Sequence, residues 1–281
     1  MIIVNNKNYI PQEFSNGERK FFIEKEGGNH LLINKQVNFI ELKYENDLDL
    51  ITLMMVKKYI DEYCPLSEVV LKLGYIPYSR MDKTNGENIF SLKYVCEFIN
   101  NLKFTRVEII EPHSDVAPAL LNNVYQLDTM FYLINEAKSD FNVSEKDICF
   151  YFTDTTVGKR QIDKIKIENY LTGLKHRDFT TGNIKSLEVV GECDNLNEKV
   201  VFMVDDLCSF GETFVLGAKK LKELGANKIV LLVPHCENNI TKGKLFESGL
   251  IDKVYTTDTI LRKTEDINEL LSEDKMCIIN I

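Results

Sequence analysis

The segment VVFMVDDLCSFGET, residues 200–213, decides the predicted fold of this chain. Its five apolar residues predict a buried strand, the adjacent carboxylates Asp205 and Asp206 follow, and a short loop leads into a helix predicted for residues 213–224. Ligands of open α/β sheets bind at the carboxyl ends of strands, and helix N-termini favour phosphate. The segment therefore indicates either a site for a phosphorylated ribose or a strand followed by a solvated acidic turn.

The rest of the chain repeats this alternation of strands and helices. In the second half, strands are predicted at residues 148–152, 229–233 and 253–255; in the first half, helices at 47–63, with Asp47 as N-cap, and at 90–102 accompany strands at 69–75 and 107–110. A hairpin is predicted near the start, with residues 19–23 and 30–33 flanking a turn at 27–29. The fold class is α/β, with parallel strands flanked by helices.

Length and charge limit the possible functions. The 281 residues predict two domains, which we assign to residues 1–128 and 129–281. The formal net charge of -9 argues against a general binder of nucleic acid or of anionic membranes. No apolar run reaches the ~20 residues that span a bilayer.

The seven cysteines have no metal-knuckle or redox spacing, and an odd number is unlike a secreted disulfide framework. The first residues lack the basic and apolar segments of a signal peptide. We therefore expect scattered thiols and a cytoplasmic location.

The segment at 200–213 resembles the phosphoribosyl-diphosphate loop of type I phosphoribosyltransferases and of ribose-phosphate pyrophosphokinases. Further stretches between Phe14 and Ile260 resemble pyrophosphokinase motifs and occur in the same order along the chain as in that family. Because simple transferases lack the first domain, the resemblance favours the pyrophosphokinases. The resemblance implies two tandem phosphoribosyltransferase-like domains, the first binding ATP and the second carrying the ribose-phosphate loop. It also implies transfer of the β,γ-pyrophosphate of ATP to the 1-hydroxyl of a ribose 5-phosphate-type acceptor, with Mg²⁺ and with release of AMP.

The resemblance further implies residue roles at the ATP site. Phe14 would stack on adenine, Asn16 and Glu18 would accept from its amino group, and Arg80 would fork onto a phosphate. The family usually has aspartate where this chain has Asn16. The ATP residues implied by the resemblance are Phe14, Asn16, Glu18, Arg80, Asp82, Lys93 and His113.

The catalytic and metal residues follow from the same resemblance. Lys175 and Arg177 lie where the family has its mobile basic loop and would neutralise charge on the transferred group. His113 and Asp154 would lie on the metal side, although imidazole is not a typical Mg²⁺ ligand, so that His113 would instead contact phosphate or a metal-bound water. The acceptor residues would be Asp205, Asp206, Ser209, Phe210, Gly211, Glu212 and Thr213.

The acceptor loop departs from the family pattern. The family has a third acid where this chain has Ser209, and paired glycines that cradle the 5-phosphate where this chain has Gly211 and Glu212. A carboxylate at Glu212 would repel a terminal phosphate dianion. Two acceptors stay open: ribose 5-phosphate, giving phosphoribosyl pyrophosphate, or ADP-ribose, giving ADP-ribose 1-pyrophosphate in NAD salvage, as in related phage enzymes.

Two other functions also stay open at this stage: a catalytically silent, nucleotide-binding regulatory homologue, and a phosphoribosyltransferase. Because the family's Phe14-type loop serves a neighbouring subunit, the resemblance implies a homo-oligomer, either a dimer or a hexamer. The expected partners are otherwise small molecules, with no nucleic acid and no membrane.

Overall fold

The computed structural model describes residues 1–22, 25–26, 29–30, 33–34, 36–155, 158, 162, 167, 170–177 and 184–281. The chain divides into two compact units, Met1–Asp128 and Thr129–Ile281. The roles of an ATP-binding and a catalytic domain stay predictions for these units.

Unit 1 is built on a sheet in the order β10-β9-β8-β7-β1-β2, in which β7 to β10 are parallel and β1 and β2 run antiparallel to their neighbours. Its described strands are β1 (Ile2–Val4), β2 (Lys7–Tyr9), β3 (Gln12–Glu13), β4 (Arg19–Lys20), β5 (Lys25–Glu26), β6 (Asn29–His30), β7 (Val37–Leu42), β8 (Glu68–Leu73), β9 (Arg106–Ile110) and β10 (Val124–Leu127).

The helices of unit 1 cover this sheet with apolar faces. They are α1 (Leu48–Tyr63), α2 (Ser91–Asn101) and α3 (Val116–Leu120). In α1, Leu53, Val56 and Ile60 recur at a spacing of three and four residues and are at most 2% exposed, so that they form one buried stripe.

Unit 2 contains a sheet in the order β13-β12-β11-β14-β16-β18-β19, parallel except for the β12–β13 pair. Its described strands are β11 (Ile148–Phe152), β12 (Tyr170–Arg177), β13 (Ile184–Glu192), β14 (Val200–Val204), β15 (Leu207–Cys208), β16 (Lys228–Leu232), β17 (His235–Cys236), β18 (Lys253–Thr257) and β19 (Met276–Ile279). Its described helices are α4 (Met130–Asp140), α5 (Glu212–Glu223) and α6 (Glu265–Ser272).

The central strands of unit 2 explain the apolar runs of the sequence. In β14, Val201, Phe202, Met203 and Val204 are all 0% exposed, because the strand lies between β11 and β16 and both of its faces are covered. The predicted α/β class, with mostly parallel sheets flanked by helices, is confirmed.

The predicted N-terminal hairpin is observed in part: β5 and β6 pair antiparallel on either side of residues 27–28, but residues 19–20 do not form its first strand. Strand β4 pairs with β3, closed by a turn in which Gly17 has φ of 87°, and the strands next to residues 27–28 are β5 and β6. Strand β5 takes the place beside β6 that the prediction gave to residues 19–23, so β4 pairs with β3 instead. Residues 23–24, 27–28 and 31–32 of that prediction lie outside the described residues.

Two of the cysteines are not scattered. Cys149 and Cys193 lie side by side, with Cα atoms 6.3 Å apart. Cys149 precedes Phe150 and Cys193 follows Glu192, and both of those residues are registered to Tyr170 of β12. The sheet register therefore brings together two residues that are 44 positions apart in sequence.

Candidate functional site

The candidate acceptor site lies at the carboxyl edge of the unit 2 sheet. Phe152, Val204 and Leu232 are in register across β11, β14 and β16, so these strands end level with one another. Asp154 follows β11 by two residues, and Asp205 and Asp206 follow β14 directly. Side chains from neighbouring strand ends therefore meet at one edge, where ligands of parallel sheets bind.

Asp205 is the most perturbed acid of this edge. The hydroxyl of Thr153 donates to its Oδ2, and the backbone N–H of Asp206 donates to Oδ1 at 2.9 Å. Burial, followed by the negative charge of Asp206, raises the pKa of Asp205 to about 8, although both of these hydrogen bonds lower it. At neutral pH the adjacent acids therefore hold fewer than two negative charges.

The loop between β14 and α5 is held from both sides. Strand β15 pairs with β17 in parallel, and the N–H of His235 donates to the carbonyl of Asp206 at 3.1 Å. Gly211 is the N-cap of α5 with φ of 84°, and a Cβ on Gly243 would lie 1.8 Å from the Phe210 carbonyl oxygen. Glycine adopts the left-handed φ of residue 211 without strain, and at residue 243 it leaves room for the Phe210 carbonyl. These two glycines therefore fix the shape of the loop.

Helix α5 begins with the residues that departed from the family pattern. Glu212 is its first residue and is exposed, Thr213 is half-buried, and the side chain of Phe210 is 47% exposed. The first N–H groups of a helix have no intrahelical partner and favour anions, whereas Glu212 adds a negative charge at the same end.

Two groups beside this loop were missed by the sequence reasoning. Glu237, which follows β17, accepts a hydrogen bond of 2.5 Å from the Ser209 hydroxyl, and its N–H donates to the Cys208 carbonyl at 2.8 Å. His235 is 1% exposed, and its Nδ1 lies 2.8 Å from the Thr259 hydroxyl. The sequence feature that could have identified them is their position: His235 and Glu237 are polar residues that follow shortly after the apolar strand β16.

The predicted mobile basic loop begins within a strand, which corrects that expectation for residues 174–177. Lys175 and Arg177 belong to β12, where they are registered to Leu187 and Ile184 of β13. Within β12, Tyr170 to Thr172 pair with β11, and the rest of β12 continues with β13 past the carboxyl end of β11 as a two-stranded ribbon. Lys175 is half-buried, and residues 178–183 lie outside the described residues.

In unit 1, the segment assigned to adenine forms a hairpin tip. The N–H of Phe14 donates to the Glu18 carbonyl at 2.7 Å, and the ring of Phe14 is 54% exposed. The Asn16 side-chain oxygen accepts from the N–H of Glu18 at 3.2 Å, which shapes the turn and uses one of its two lone pairs. The tip therefore presents an aromatic ring to solvent on a defined turn.

The loop after β8 carries Arg80 and is tied to the start of α1. Tyr78, with φ of 61°, donates to both carboxylate oxygens of Asp47 at 2.8 and 2.9 Å, and Tyr44 donates to Oδ1 at 2.6 Å. The hydrogen bonds from Tyr44 and then from Tyr78 lower the pKa of Asp47. Asp47 occupies the predicted N-cap position but makes no side-chain capping bond, because its own backbone is already helical, with φ of -64° and ψ of -23°.

The remaining predicted ATP residues lie on the loops and the helix that follow β8 and β9. Arg80 is exposed and Asp82 is half-buried, whereas Lys93 is exposed in the first turn of α2. His113 is half-buried and follows Glu111, which is 5% exposed with φ of 36°. A non-glycine residue in this region stores strain, as is common at functional sites.

The predicted metal residues lie in different units, His113 in unit 1 and Asp154 in unit 2. Within the described ranges, no group of three or more His, Cys, Asp or Glu side chains is arranged to hold a metal ion. Mg²⁺ typically takes one or two carboxylates together with water and substrate phosphates, and the half-buried Asp154 suits one such position.

Among the helices of the described part of the chain, none combines the length and the apolar character that a bilayer span requires.

Comparison with known proteins gives consistent sequence matches. The family model of the phosphoribosyl synthetase-associated domain matches residues 164–280. A ribose-phosphate pyrophosphokinase of Thermotoga maritima is 27% identical over 194 residues, covering 68% of this chain and 61% of the relative. One from Marinomonas sp. is 24% identical over 212 residues, covering 72% and 64%. The match thus spans less than two thirds of the length of these relatives.

The fold comparison covers more of the chain. The crystal structure of phosphoribosylpyrophosphate synthetase from Mycobacterium smegmatis superposes with a TM-score of 0.73 at 17% identity, covering 97% of this chain and 85% of that one. At this identity the likeness concerns the fold. The family model, the curated relatives and this shared fold together support a relationship of the chain to the ribose-phosphate pyrophosphokinase family.

Proposed function

We propose that this protein is a Mg²⁺-dependent diphosphotransferase that moves the β,γ-pyrophosphate of ATP to the 1-hydroxyl of a ribose 5-phosphate-type acceptor and releases AMP. The observation that carries this proposal is the strand-end pair Asp205 and Asp206, followed by a loop that Gly211 caps at the start of α5. Carboxylates accept from the ribose hydroxyls, and the helix start attracts the acceptor phosphate.

The acid pair is suited to holding a sugar diol. An ionised carboxylate only accepts hydrogen bonds, so it binds the hydroxyls of ribose through their protons. Because the pKa of Asp205 is raised, a protonated Asp205 also has an O–H to donate to a ribose oxygen. Thr153 and the N–H of Asp206 orient the Asp205 carboxyl before the sugar binds.

In unit 1 the proposed ATP contacts divide by chemistry. The exposed ring of Phe14 stacks on adenine, with Asn16 and Glu18 beside its amino group. Arg80 and Lys93 supply positive charge to the phosphates, and Asp82 and His113 complete the proposed set.

Phosphoryl and pyrophosphoryl transfers depend on positioning and on charge neutralisation. Asp154 is the carboxylate that would hold Mg²⁺ in unit 2, and the ion would supply part of that charge neutralisation. Lys175 and Arg177 provide protein-borne positive charge on the ribbon that continues past β11.

For the acceptor we propose ADP-ribose, with ribose 5-phosphate as the alternative. A phosphate inside a diphosphate linkage carries about one negative charge, whereas a terminal phosphate monoester carries nearly two at pH 7. Glu212 in the first turn of α5 therefore repels the terminal phosphate more strongly. The half-exposed ring of Phe210 offers an apolar surface to a substituent on that phosphate. The product, ADP-ribose 1-pyrophosphate, would serve NAD salvage.

Incubation of the protein with ATP, Mg²⁺ and each acceptor, followed by mass analysis of the products, tests both the proposed reaction and the proposed acceptor. AMP with a pyrophosphorylated acceptor supports the reaction, and the acceptor that reacts with the higher kcat/KM is the substrate. ATP binding without AMP from any acceptor would instead indicate a silent regulatory homologue. Base-dependent release of pyrophosphate from phosphoribosyl pyrophosphate would indicate a phosphoribosyltransferase.

We further propose a homo-oligomer, a dimer or a hexamer, in which the Phe14 hairpin serves the ATP site of a neighbouring copy. Mixing the Phe14→Ala variant with an Asp205→Ala variant, which lacks the carboxyl group altogether, tests this sharing. Activity in the mixture well above that of either variant alone supports a shared site, because intact sites then form from two different chains. A fully active monomer would refute it.

A further inference from the structure

The loop beside the proposed acceptor site holds a hydrogen bond that determines which ligand groups it can bind. Ser209 donates its hydroxyl proton to Oε2 of Glu237 at 2.5 Å, a length typical of a bond between a hydroxyl and a carboxylate. A serine hydroxyl has a single proton, so Ser209 presents only acceptor lone pairs to a ligand. Phosphate oxygens are acceptors too, and they gain nothing from this side chain.

Glu237 is fixed against the loop by its backbone as well as by its side chain. Its N–H donates to the Cys208 carbonyl at 2.8 Å, and the parallel pairing of β15 with β17 registers Cys208 to Cys236. The carboxylate of Glu237 therefore keeps its place beside Ser209. Together with Glu212 at the start of α5, it puts a second negative charge next to the loop.

We infer that Glu237, acting through Ser209, is a specificity-determining residue that makes this loop discriminate against acceptors with a terminal phosphate dianion. This inference rests on the proposed function and identifies what selects its acceptor. Glu237 accepts the hydrogen bond of the one Ser209 hydroxyl proton, so that this proton is not offered to the ligand. The Glu237 carboxylate also repels a dianion more than a singly charged, substituted phosphate. Acceptors whose phosphate is linked to a further group are correspondingly favoured.

The size of the effect follows from the charge difference. One carboxylate and one additional phosphate charge about 6 Å apart, at an effective dielectric constant of about 40 to 80, change the binding ratio roughly threefold to tenfold. We therefore expect Glu237→Gln to raise the affinity for ribose 5-phosphate relative to ADP-ribose by that factor. A glutamine amide also donates to Ser209, which releases the serine proton for the phosphate.

The matched control is Glu223→Gln. It makes the same charge change at the last residue of α5, about 16 Å along the helix from Glu212. Its side chain pairs with Lys220 on the surface. We expect the ratio of affinities in this variant to equal that of the wild type.

The test measures equilibrium binding of ribose 5-phosphate and of ADP-ribose to wild type, Glu237→Gln and Glu223→Gln, with far-UV circular dichroism as a check on folding. The double variant Ser209→Ala/Glu237→Gln should lose part of the gain, because its hydroxyl is gone. An unchanged ratio in folded Glu237→Gln, or an equal shift in Glu223→Gln, would overturn the inference.

A parallel assay of AMP release separates this inference from the proposed function. A shifted binding ratio without AMP from any acceptor leaves the inference standing and removes the function. AMP release with an unshifted binding ratio supports the proposed function and overturns the inference on Glu237. Wild-type protein that binds neither sugar phosphate overturns both.

Discussion

Replacing Asp205 by asparagine tests the electrostatics of the acid pair most directly. Burial and the charge of Asp206 raise the pKa of Asp205 from 3.8 to about 8. Between these two values the folded protein keeps a proton that the unfolded chain has lost, so the free energy of unfolding falls as the pH rises. The stability linked to this group is fully present below pH ~4 and is lost as the pH approaches about 8.

The magnitude follows from the linkage. Each pH unit in this window removes at most about 1.4 kcal/mol of stability. Asp205 is only half-buried, and its titration is shared with Asp206, so we expect a total of about 3 kcal/mol between pH 4 and pH 8. Asparagine resembles the protonated acid and does not titrate, so the variant lacks this decline.

The assay is urea denaturation followed by far-UV circular dichroism at pH 5, 6, 7 and 8. We expect the difference in free energy of unfolding, Asp205→Asn minus wild type, to become steadily more positive as the pH rises. The lost hydrogen-bond acceptor lowers the stability of the variant by about 1 kcal/mol at every pH, which changes the offset and not the slope. Glu223→Gln serves as the control, because its carboxylate lies on the surface beside Lys220. Parallel pH profiles for wild type and Asp205→Asn would refute the raised pKa.

Three further substitutions test separate parts of the structure. Gly243→Ala places a Cβ 1.8 Å from the Phe210 carbonyl oxygen, so we expect at least a tenfold loss of acceptor affinity by equilibrium binding, with ATP binding unchanged. Asp47→Asn weakens the two phenol bonds that tie down the Arg80 loop, and steady-state kinetics should show a several-fold rise in KM for ATP and an unchanged KM for the acceptor. Lys253→Met removes a cation that is 7% exposed and pairs with Asp140 and Asp274; because these acids are largely exposed, we expect a loss of about 2 kcal/mol in urea denaturation, with KM values unchanged.

The elements that the sequence predicted well are those with strong local patterns. The strand at 148–152 and the strand at 200–204 are observed with the predicted bounds, because continuous apolar runs fit strands covered on both faces. The helix predicted from Thr213 begins one residue earlier, at Glu212, and ends at Glu223 before the left-handed Gly225. Local residue preferences were sufficient for these elements.

The failures concern pairing between distant segments. The sequence of β4 does not indicate that it pairs with β3, and Lys175 was assigned to a mobile loop from the family resemblance, whereas it lies in a strand paired with β13. The approach of Cys149 to Cys193 depends on a register that passes through β12. Strand pairing is set by packing and chain closure, and short-range patterns do not encode it uniquely.

The sequence by itself determined the α/β class and the position of the acid pair at a strand end, because both follow from local apolar runs and from the residue types that come after them. Only the tertiary structure decided that Thr153 donates to Asp205, that Gly243 admits the Phe210 carbonyl, and that Glu237 accepts the hydrogen bond of Ser209. The Thr153–Asp205 and Ser209–Glu237 hydrogen bonds join residues that are 52 and 28 positions apart in sequence. The close approach of Gly243 to the Phe210 carbonyl likewise exists only once the chain has folded. The proposed acceptor preference therefore depends on how the strand ends are assembled, and the loop sequence supplies only part of it.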